Sequence, residues 1–372
     1  ALMAASHLTG CGGGGAAETA GPASPAPVPG PAPMPPPSPA PAPLPAPTGQ
    51  IFAYAASSDD SSDIAVSIYK VLDDGALEPA GTVLATSGAL SASIHPSGRF
   101  AYVINEIAGR ISAHAIDGES GMLELTMTLD DLNFNGRMHI HPSGQFAYLA
   151  GDNAVLIYGI DGAGMLVNGR TFGVDSGVEQ VALDPSGSQL YVAGMNNMLT
   201  VYSIDAMGDL AFQGSVGTAE RCSALLVSPA GRSIHVAAGH SILTHTIGPA
   251  GQLGAPSSVD ALNVREMAVA PSGKYLYALT SGGTGSGADV SVYEITEAGE
   301  LIARGEVDAI DVEGELAFHP SGGILYTADG AGNTVSRYTV DQFTGALAEM
   351  PPAVAAGLGT YGICVARVAA VA

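Results

Sequence analysis

The stretch that decides the fold is IHPSGRFAYVINE, residues 94–106, in which the polar turn HPSG separates two short apolar runs. The same phrase returns five more times along the chain. The copies are IHPSGQFAY at 140–148, LDPSGSQLY at 183–191, VSPAGRSIH at 227–235, VAPSGKYLY at 269–277 and FHPSGGILY at 318–326. Their prolines are 42 to 49 residues apart, which indicates one structural unit repeated along the chain.

Each repeat continues with a second apolar phrase such as VLIYGIDGAGML, residues 155–166. The unit therefore predicts four strands joined by a P-S-G turn, a loop and a G-x-L turn, which is typical of a propeller blade. A seventh copy is split, because the segment from Ile51 supplies the last three strands of a unit and residues 360–372 supply the first. We expect an all-β, seven-bladed β-propeller closed by pairing of the C-terminal strand with the N-terminal blade, which removes exposed sheet edges.

Composition agrees with an all-β fold and excludes some partners. The 372 residues include 50 Gly and 25 Pro, and the net charge is -23. Nucleic-acid binding requires clustered Lys and Arg, so we predict no nucleic-acid partner. No stretch of the propeller reaches the roughly 20 uninterrupted apolar residues of a membrane helix, so we expect membrane contact only through a lipid anchor.

The amino-terminal sequence predicts where in the cell the protein is located. Residues 1–20 read as the end of a signal peptide with a Gly-rich segment, and Leu8-Thr9-Gly10-Cys11 resembles a bacterial lipobox, which makes Cys11 the predicted lipidation site. Residues 21–50 are rich in Pro and Ala and predict a disordered polyproline stalk, followed by the propeller at 51–372. We therefore expect a lipid-anchored protein of the bacterial cell envelope, at the outer membrane or facing the periplasm.

The residue before the repeat Pro is His95, His141 and His319 in three copies, and Asp, Ser or Ala in the others. A position that accepts such different side chains indicates a structural role. The turn Gly that follows is explained by a backbone position with positive φ. We therefore do not place chemistry in the repeated phrase itself.

Candidate site residues come instead from the start of the first strand of each blade, which lines the central channel of a propeller. The residues five and six before each repeat Pro should meet at the channel mouth. They are Leu90/Ser91, Gly136/Arg137, Glu179/Gln180, Ser223/Ala224, Arg265/Glu266 and Gly314/Glu315, with Tyr361 near the closing strand. Loops on the same face add Glu106 and Asp152.

The seven-unit pattern, and IHPSGRFAYVINEIAGRISAHAIDGESGMLE at 94–124 in particular, resembles the lactonase family of propellers. That family includes bacterial 6-phosphogluconolactonases and fungal carboxymuconate cyclases, and the resemblance spans residues 51–372. In the family an Arg-His pair commonly begins a channel strand, and the Glu of the Y-V-x-N-E phrase follows the Arg by about sixteen residues. Glu106 matches that Glu, whereas Leu90 and Ser91 stand at the Arg-His positions. Arg265 matches the Arg in another blade, with Glu266 in place of His.

The resemblance implies a lactone hydrolase without a cofactor. Glu106 or Glu266 would deprotonate a water for attack on a lactone carbonyl, and Arg265 or Arg137 would hold the substrate carboxylate or the developing oxyanion. Gln180, Glu315, Asp152 and Tyr361 are candidate binding residues. A satisfied polar ring without catalysis is the alternative interpretation. His139 and His141 have the spacing of metal ligands on a strand, but no third ligand is evident, and we predict no metal.

Two functions remain open at this stage. One is an exported, lipid-anchored hydrolase of a sugar or organic-acid lactone, and the other is a non-catalytic binding or scaffold propeller that presents its loop face to an envelope protein. Cys222 and Cys364 fall on blades across the ring, too far apart for a disulfide, so two unpaired and mostly buried thiols are expected.

Overall fold

Short apolar runs separated by Gly- and Pro-containing turns fold into antiparallel strands along the whole repeat region. The computed structural model describes residues 39–57, 64–84, 91–105, 108–130, 132–281, 288–308 and 314–370, and all regular elements within them are strands. Within these ranges no helix has the length and apolarity of a membrane span. Residues 1–38, which include Cys11 and most of the predicted stalk, lie outside the described residues.

The strands form seven sheets of four main strands each, which we number as blades 1 to 7 in chain order. Blade 1 consists of β1 (Ile51–Ser57), β2 (Ile64–Val71), β3 (Leu77–Leu84) and the C-terminal β29 (Thr360–Arg367). Blade 2 consists of β4 (Ser91–Ile94), β5 (Phe100–Asn105), β6 (Arg110–Ile116) and β7 (Leu123–Leu129). Blade 3 consists of β8 (Asn135–Ile140), β9 (Phe146–Ala150), β10 (Ala154–Ile160) and β11 (Leu166–Gly173). Blade 4 consists of β12 (Val178–Leu183), β13 (Gln189–Gly194), β14 (Met198–Ile204) and β15 (Leu210–Gly217).

The remaining three blades follow the same order. Blade 5 consists of β16 (Cys222–Val227), β17 (Ser233–Ala238), β18 (Ser241–Thr246) and β19 (Ser257–Asp260). Blade 6 consists of β20 (Val264–Val269), β21 (Tyr275–Ser281), β22 (Ala288–Ile295) and β23 (Leu301–Asp308). Blade 7 consists of β24 (Leu316–Phe318), β25 (Ile324–Asp329), β26 (Thr334–Val340) and β27 (Leu347–Glu349), and β28 (Val354–Ala355) also pairs with β26. The predicted all-β propeller of seven four-stranded blades is confirmed.

Closure of the ring occurs in blade 1, where the last strand of the chain pairs with the first. β29 runs antiparallel to β1, with Ile51 opposite Arg367 and Ala55 opposite Ile363. The C-terminal strand is thus the innermost strand of the N-terminal blade, as the split repeat predicted. The first strands of the blades contact one another in a closed ring, in the order β29, β4, β8, β12, β16, β20 and β24, and so surround the central channel.

The repeated HPSG phrase is the turn between the first and second strand of a blade. In blade 2 the Gly98 amide donates to the His95 carbonyl at 2.8 Å, and Gly98 has a φ of 68°. The His95 ring bonds Ser97 Oγ through Nδ1 at 2.7 Å and the Gly144 carbonyl of blade 3 through Nε2 at 2.9 Å. His141 repeats both contacts, reaching the Gly187 carbonyl of blade 4 at 2.9 Å. These histidines therefore join neighbouring blades.

The hydrophobic core lies between adjacent blades rather than in one central volume. Tyr102 of blade 2 packs with Leu149 and Leu166 of blade 3, for example, and each blade-to-blade interface holds a similar cluster. The segment before β1 also packs on the propeller: the Leu44 amide donates to the Pro142 carbonyl at 2.8 Å and the Gly49 amide to the Val368 carbonyl at 3.0 Å. Cys222 is buried, Cys364 is half-buried and both are unpaired, which confirms the thiol prediction.

Candidate functional site

One residue from each of six blades lines a single cavity, and all six residues share one sequence offset. They lie five residues before the repeat Pro of their own blade and line a cavity of about 200 Å³. The six are Ser91, Arg137, Gln180, Ala224, Glu266 and Glu315. Since each stands at or near the start of an innermost strand, the repeat itself brings residues from distant parts of the chain into one site.

In three blades a bulge in the innermost strand separates the residues that lie five and six positions before the repeat Pro. The pairing register shifts between Val264 and Glu266 in blade 6, between Val178 and Gln180 in blade 4 and between Cys222 and Ala224 in blade 5. A bulge places two residues opposite one and turns the extra side chain away from the regular alternation. Two candidates are affected. Arg265 is the extra residue of blade 6 and is exposed, outside the lining of the cavity.

Tyr361 occupies the corresponding position of the closing strand, where the register shifts between Ala56 and Ser57 of β1. Its ring lies over Gly330, where an added Cβ would come within 2.6 Å of the ring. Its carbonyl accepts from the Glu315 amide at 2.7 Å. Tyr361 thus contributes its backbone next to the site, while its side chain packs on blade 7.

Arg137 is the centre of a charged cluster in this cavity. Its Nη1 lies 3.0 Å from Glu266 Oε1, and its Nε lies 2.6 Å from Glu315 Oε1. The second oxygen of Glu315 accepts from the Ile363 amide at 3.0 Å. The cluster therefore connects blades 3, 6 and 7 to the closing strand, and one guanidinium serves two carboxylates.

The pKa values of all three groups are shifted in this site. Burial raises the pKa of Glu315 to about 7, against the opposing effect of Arg137. Burial also raises the pKa of Glu266. Burial alone would lower the pKa of Arg137, but its two carboxylate partners outweigh burial and raise that pKa, so the guanidinium stays charged. A carboxyl group with its pKa near neutrality is the type of group that general acid-base catalysis uses.

His139 lies two residues after Arg137 on β8 and faces the same channel. Burial lowers its pKa to about 4, with a further contribution from Arg137, so the imidazole is neutral at pH 7. His141, in contrast, is engaged through both ring nitrogens at the blade interface. In the part of the chain that the structure describes, no group of three His, Cys, Asp or Glu side chains is arranged to hold a metal ion.

The cavity of about 200 Å³ that Arg137 lines, here named the upper cavity, is also lined by uncharged polar groups. The Ser223 hydroxyl donates to the Val264 carbonyl at 2.6 Å, and Gln180 Nε2 lies 3.5 Å from the Ser223 carbonyl. The Ser91 hydroxyl is different, because only 1% of Ser91 is exposed and its Oγ has no hydrogen-bond partner among the described residues. Below this layer a second cavity of about 480 Å³, lined mainly by apolar side chains, continues along the channel.

Two further candidates do not join the cluster. Asp152 is exposed in the turn between β9 and β10, where its carboxylate accepts from Asn133 Nδ2. Glu106 lies outside the described residues. The structure thus brings together Arg137, Glu266, Glu315 and Gln180 of the predicted set. It also brings in Ser91, which the sequence placed in the same ring without a chemical role, and it adds His139, for which the offset of three from the repeat Pro is the sequence signal.

Comparison with known proteins found a family model that matches part of the chain. The model is described as "Lactonase, 7-bladed beta-propeller" and matches residues 47–218. The chain is similar to the lactonase family over this segment. The resemblance drawn from the sequence is therefore confirmed, and the matched segment of this lactonase-like propeller includes Arg137 and Gln180. No curated protein matches the sequence.

Solved structures share the fold of the lactonase-like propeller. Two are proteins described provisionally as 6-phosphogluconolactonases, from Bacteroides fragilis and Bacteroides uniformis, with TM-scores of 0.74 and 0.75 and 16% identity each. They align over 85% and 86% of this chain and over 98% and 99% of their own. A third is the periplasmic gluconolactonase of Pseudomonas aeruginosa, with a TM-score of 0.73, 16% identity, and coverage of 86% of this chain and 99% of its own. At this identity the likeness establishes a common fold.

Proposed function

We propose that this lactonase-like propeller hydrolyses a sugar or organic-acid lactone at its channel mouth, with Glu266 and Arg137 as the catalytic residues. The observation that carries the proposal is the Arg137–Glu266–Glu315 cluster inside a small cavity of a lactonase-like fold. A base and a cation in one partly enclosed site are the two groups that ester-type hydrolysis requires.

In the proposed reaction, Glu266 takes a proton from a water molecule whose oxygen attacks the lactone carbonyl carbon. The carbonyl π electrons move onto oxygen, and the charged Arg137 guanidinium stabilises the resulting oxyanion. When the carbonyl re-forms, the ring C–O bond breaks, and the leaving alkoxide takes the proton from Glu266. The product is the open-chain hydroxy acid, and no cofactor or metal is consumed.

Glu315 has a different role from Glu266 in this proposal. Both of its carboxylate oxygens are engaged, one by Arg137 and one by the Ile363 amide, and its side chain is 14% exposed compared with 20% for Glu266. It holds Arg137 in place and is a positioning residue. Gln180 and Ser91 lie on the cavity wall, where they would contact the hydroxyl groups of a substrate.

We also propose that the protein is held at the bacterial cell envelope by a lipid on Cys11, on the outer-membrane or periplasmic side. The lipobox-like Leu8-Thr9-Gly10-Cys11 and the Pro- and Ala-rich tract that follows support this location. A Cys11→Ser variant should move from the membrane fraction to the soluble fraction. Unchanged fractionation would contradict the anchor.

A non-catalytic binding propeller on the cell envelope is the second candidate, and one observation favours it. Arg137, Glu266 and Glu315 are paired with one another within the cluster, as in a purely structural polar ring. In that case the channel face would present a binding surface to an envelope protein. The two candidates differ in whether the protein opens lactone rings.

The test is a panel of sugar and organic-acid lactones, followed by base consumption at constant pH and corrected for spontaneous hydrolysis. The wild type should accelerate ring opening of at least one compound, and Arg137→Gln should abolish that activity. Arg170→Gln, which changes an Arg of the outer strand β11 paired with Asp209, is the control and should keep it. No acceleration by the wild type across the panel would reject the enzyme and favour the binding propeller.

A further inference from the structure

Building on the proposed lactonase function, we propose that the upper cavity selects uncharged, polyhydroxylated lactones and rejects lactones that carry a phosphate or a carboxylate. This narrows the substrate class in a way that neither the shared fold nor the matched family decides. The inference comes from the charges of the cavity, from the engagement of Arg137 and from one unsatisfied hydroxyl.

The charged residues that line the cavity are one Arg and two Glu. With both carboxyl groups ionised, the cavity carries a charge of minus one, and with Glu315 protonated it carries zero. His139 does not add a positive charge at neutral pH, because its pKa is lowered to about 4 by burial and by Arg137. In neither state is the lining positive, so it offers no net attraction to an anion.

The guanidinium of Arg137 is also engaged already. Its Nε and Nη1 lie 2.6 Å and 3.0 Å from the carboxylates of Glu315 and Glu266. The other N–H donors of Arg137 are available to a ligand oxygen. A phosphate bound there would lie beside two carboxylates, with no second Arg or Lys in the cavity lining to balance its charge. An uncharged carbonyl oxygen adds no further negative charge to the cavity.

The surroundings of the mouth reinforce this preference. Arg221, near the rim, lies 2.6 Å from Glu179 and is thereby neutralised. Arg265 lies on the exposed side of its bulged strand, outside the cavity lining. The whole chain carries a net charge of -23, so its long-range field repels anions before they reach the mouth.

The cavity instead offers groups that recognise hydroxyls. Ser91 lines the cavity, and its buried Oγ has no partner among the described residues. A buried hydroxyl without a partner is unfavourable, so a ligand hydroxyl that reaches it is favoured. Gln180 also lines the cavity. The volume of about 200 Å³ is below that of pockets for drug-sized ligands, which fits a single sugar ring.

The test measures binding and not turnover, so that it stands apart from the proposed reaction. The probes are the lactam analogue of glucono-δ-lactone, which is not readily hydrolysed, and its 6-phosphate, titrated by calorimetry into the full chain. The neutral lactam should bind at least tenfold more tightly than the phosphate.

Ser91→Ala should weaken lactam binding several-fold. Glu315→Gln and Glu266→Gln each remove one negative charge, so each should reduce the ratio of lactam affinity to phosphate affinity. Glu300→Gln, an exposed Glu on an outer turn of blade 6, should leave the preference unchanged.

The outcomes separate this inference from the proposed function. Equal or tighter binding of the 6-phosphate overturns the selectivity and leaves lactone hydrolysis intact. Preference for the neutral lactam in a protein that hydrolyses no lactone supports the selectivity and rejects the enzyme. If neither analogue binds at millimolar concentration, the selectivity proposal is overturned.

Discussion

The hydroxyl of Tyr102 in blade 2 donates a hydrogen bond of 2.9 Å to the carbonyl of Gly164 in blade 3. The same link between a second-strand Tyr and the G-x-L turn of the next blade recurs around the ring. The other pairs are Tyr54–Gly121, Tyr148–Gly208, Tyr277–Gly345 and Tyr326–Gly75. Two blades differ. Blade 5 has His235 in place of the Tyr, and in blade 4 the buried Tyr191 hydroxyl has no partner among the described residues.

This contrast predicts opposite results for two identical substitutions. Tyr102→Phe removes a buried hydrogen bond and leaves the Gly164 carbonyl unpaired, so the free energy of unfolding should fall by about 1 kcal/mol or more. Tyr191→Phe removes a hydroxyl that has no partner and should be neutral or slightly stabilising. Denaturant unfolding of both variants checks this. Equal losses would mean that the hydroxyl bonds are not what joins the blades.

Acid should weaken the propeller through its buried histidines. Burial lowers the pKa of His235 from 6.5 to about 4. Between these two pH values the unfolded chain binds a proton at His235 and the folded chain does not. The stabilising effect is therefore complete above pH 6.5 and is lost as the pH falls towards 4. For one group the loss is on the order of 3 kcal/mol. The free energy of unfolding, measured from pH 7.5 to 4.5, should fall less in His235→Tyr, which restores the residue type of the other blades, than in the wild type. An identical pH slope in that variant would contradict the assignment.

Glu315 should have the opposite effect on the pH dependence of stability, because it lowers the free energy of unfolding as the pH rises. Burial raises the pKa of Glu315 to about 7, so the folded state holds its proton at a pH where the unfolded chain has released it. This contribution is present below the unfolded pKa of about 4.3 and is lost as the pH rises through 7. The stability difference between Glu315→Gln and wild type should therefore move in favour of the variant from pH 5 to pH 8. Subtraction cancels the shared histidine effects, and a difference that does not depend on pH would disagree with the buried carboxyl.

Both described cysteines should be unreactive in the folded protein. Burial raises the pKa of Cys222 to about 12, with a smaller effect of Glu179, and burial and Glu315 raise the pKa of Cys364 to about 12. At pH 8 the thiolate is scarce, and modification should be roughly a thousandfold slower than for a free thiol. A Cys11→Ser variant treated with a chromogenic disulfide reagent tests this, with two thiols released after denaturation. Rapid reaction without denaturant would show that one of the sites is open.

The fold was predictable from the sequence because the same pattern of strands and turns recurs in every blade. The spacing of Pro96, Pro142 and their equivalents defines the blade. The half-repeats at the two ends predict that the C-terminal strand pairs with the strand from Ile51, and the structure gives the register, with Ala55 opposite Ile363. The inter-blade bonds of His95 and Tyr102 could not be predicted, because they join residues about 50 to 60 positions apart whose turn glycines look alike in every unit.

The site was only partly predictable for a local reason. Alternation along a strand cannot decide between Arg265 and Glu266, because the bulge between Val264 and Glu266 moves one residue out of register without a sequence mark. The cluster itself follows once the offset is known, since Arg137, Glu266 and Glu315 occupy one position of the repeat. Which carboxylate is held by the closing strand depends on the Ile363 amide, a backbone group that sequence does not reveal.

The most direct test of the account is the rate at which the purified protein opens a neutral sugar lactone, measured for wild type, Glu266→Gln and the exposed control Glu300→Gln. We predict that wild type and Glu300→Gln accelerate ring opening above the spontaneous rate, and that Glu266→Gln loses about 100-fold or more in kcat/KM while unfolding at a similar temperature. Equal rates for Glu266→Gln and wild type, or no acceleration by the wild type, would contradict a catalytic cluster at the channel mouth.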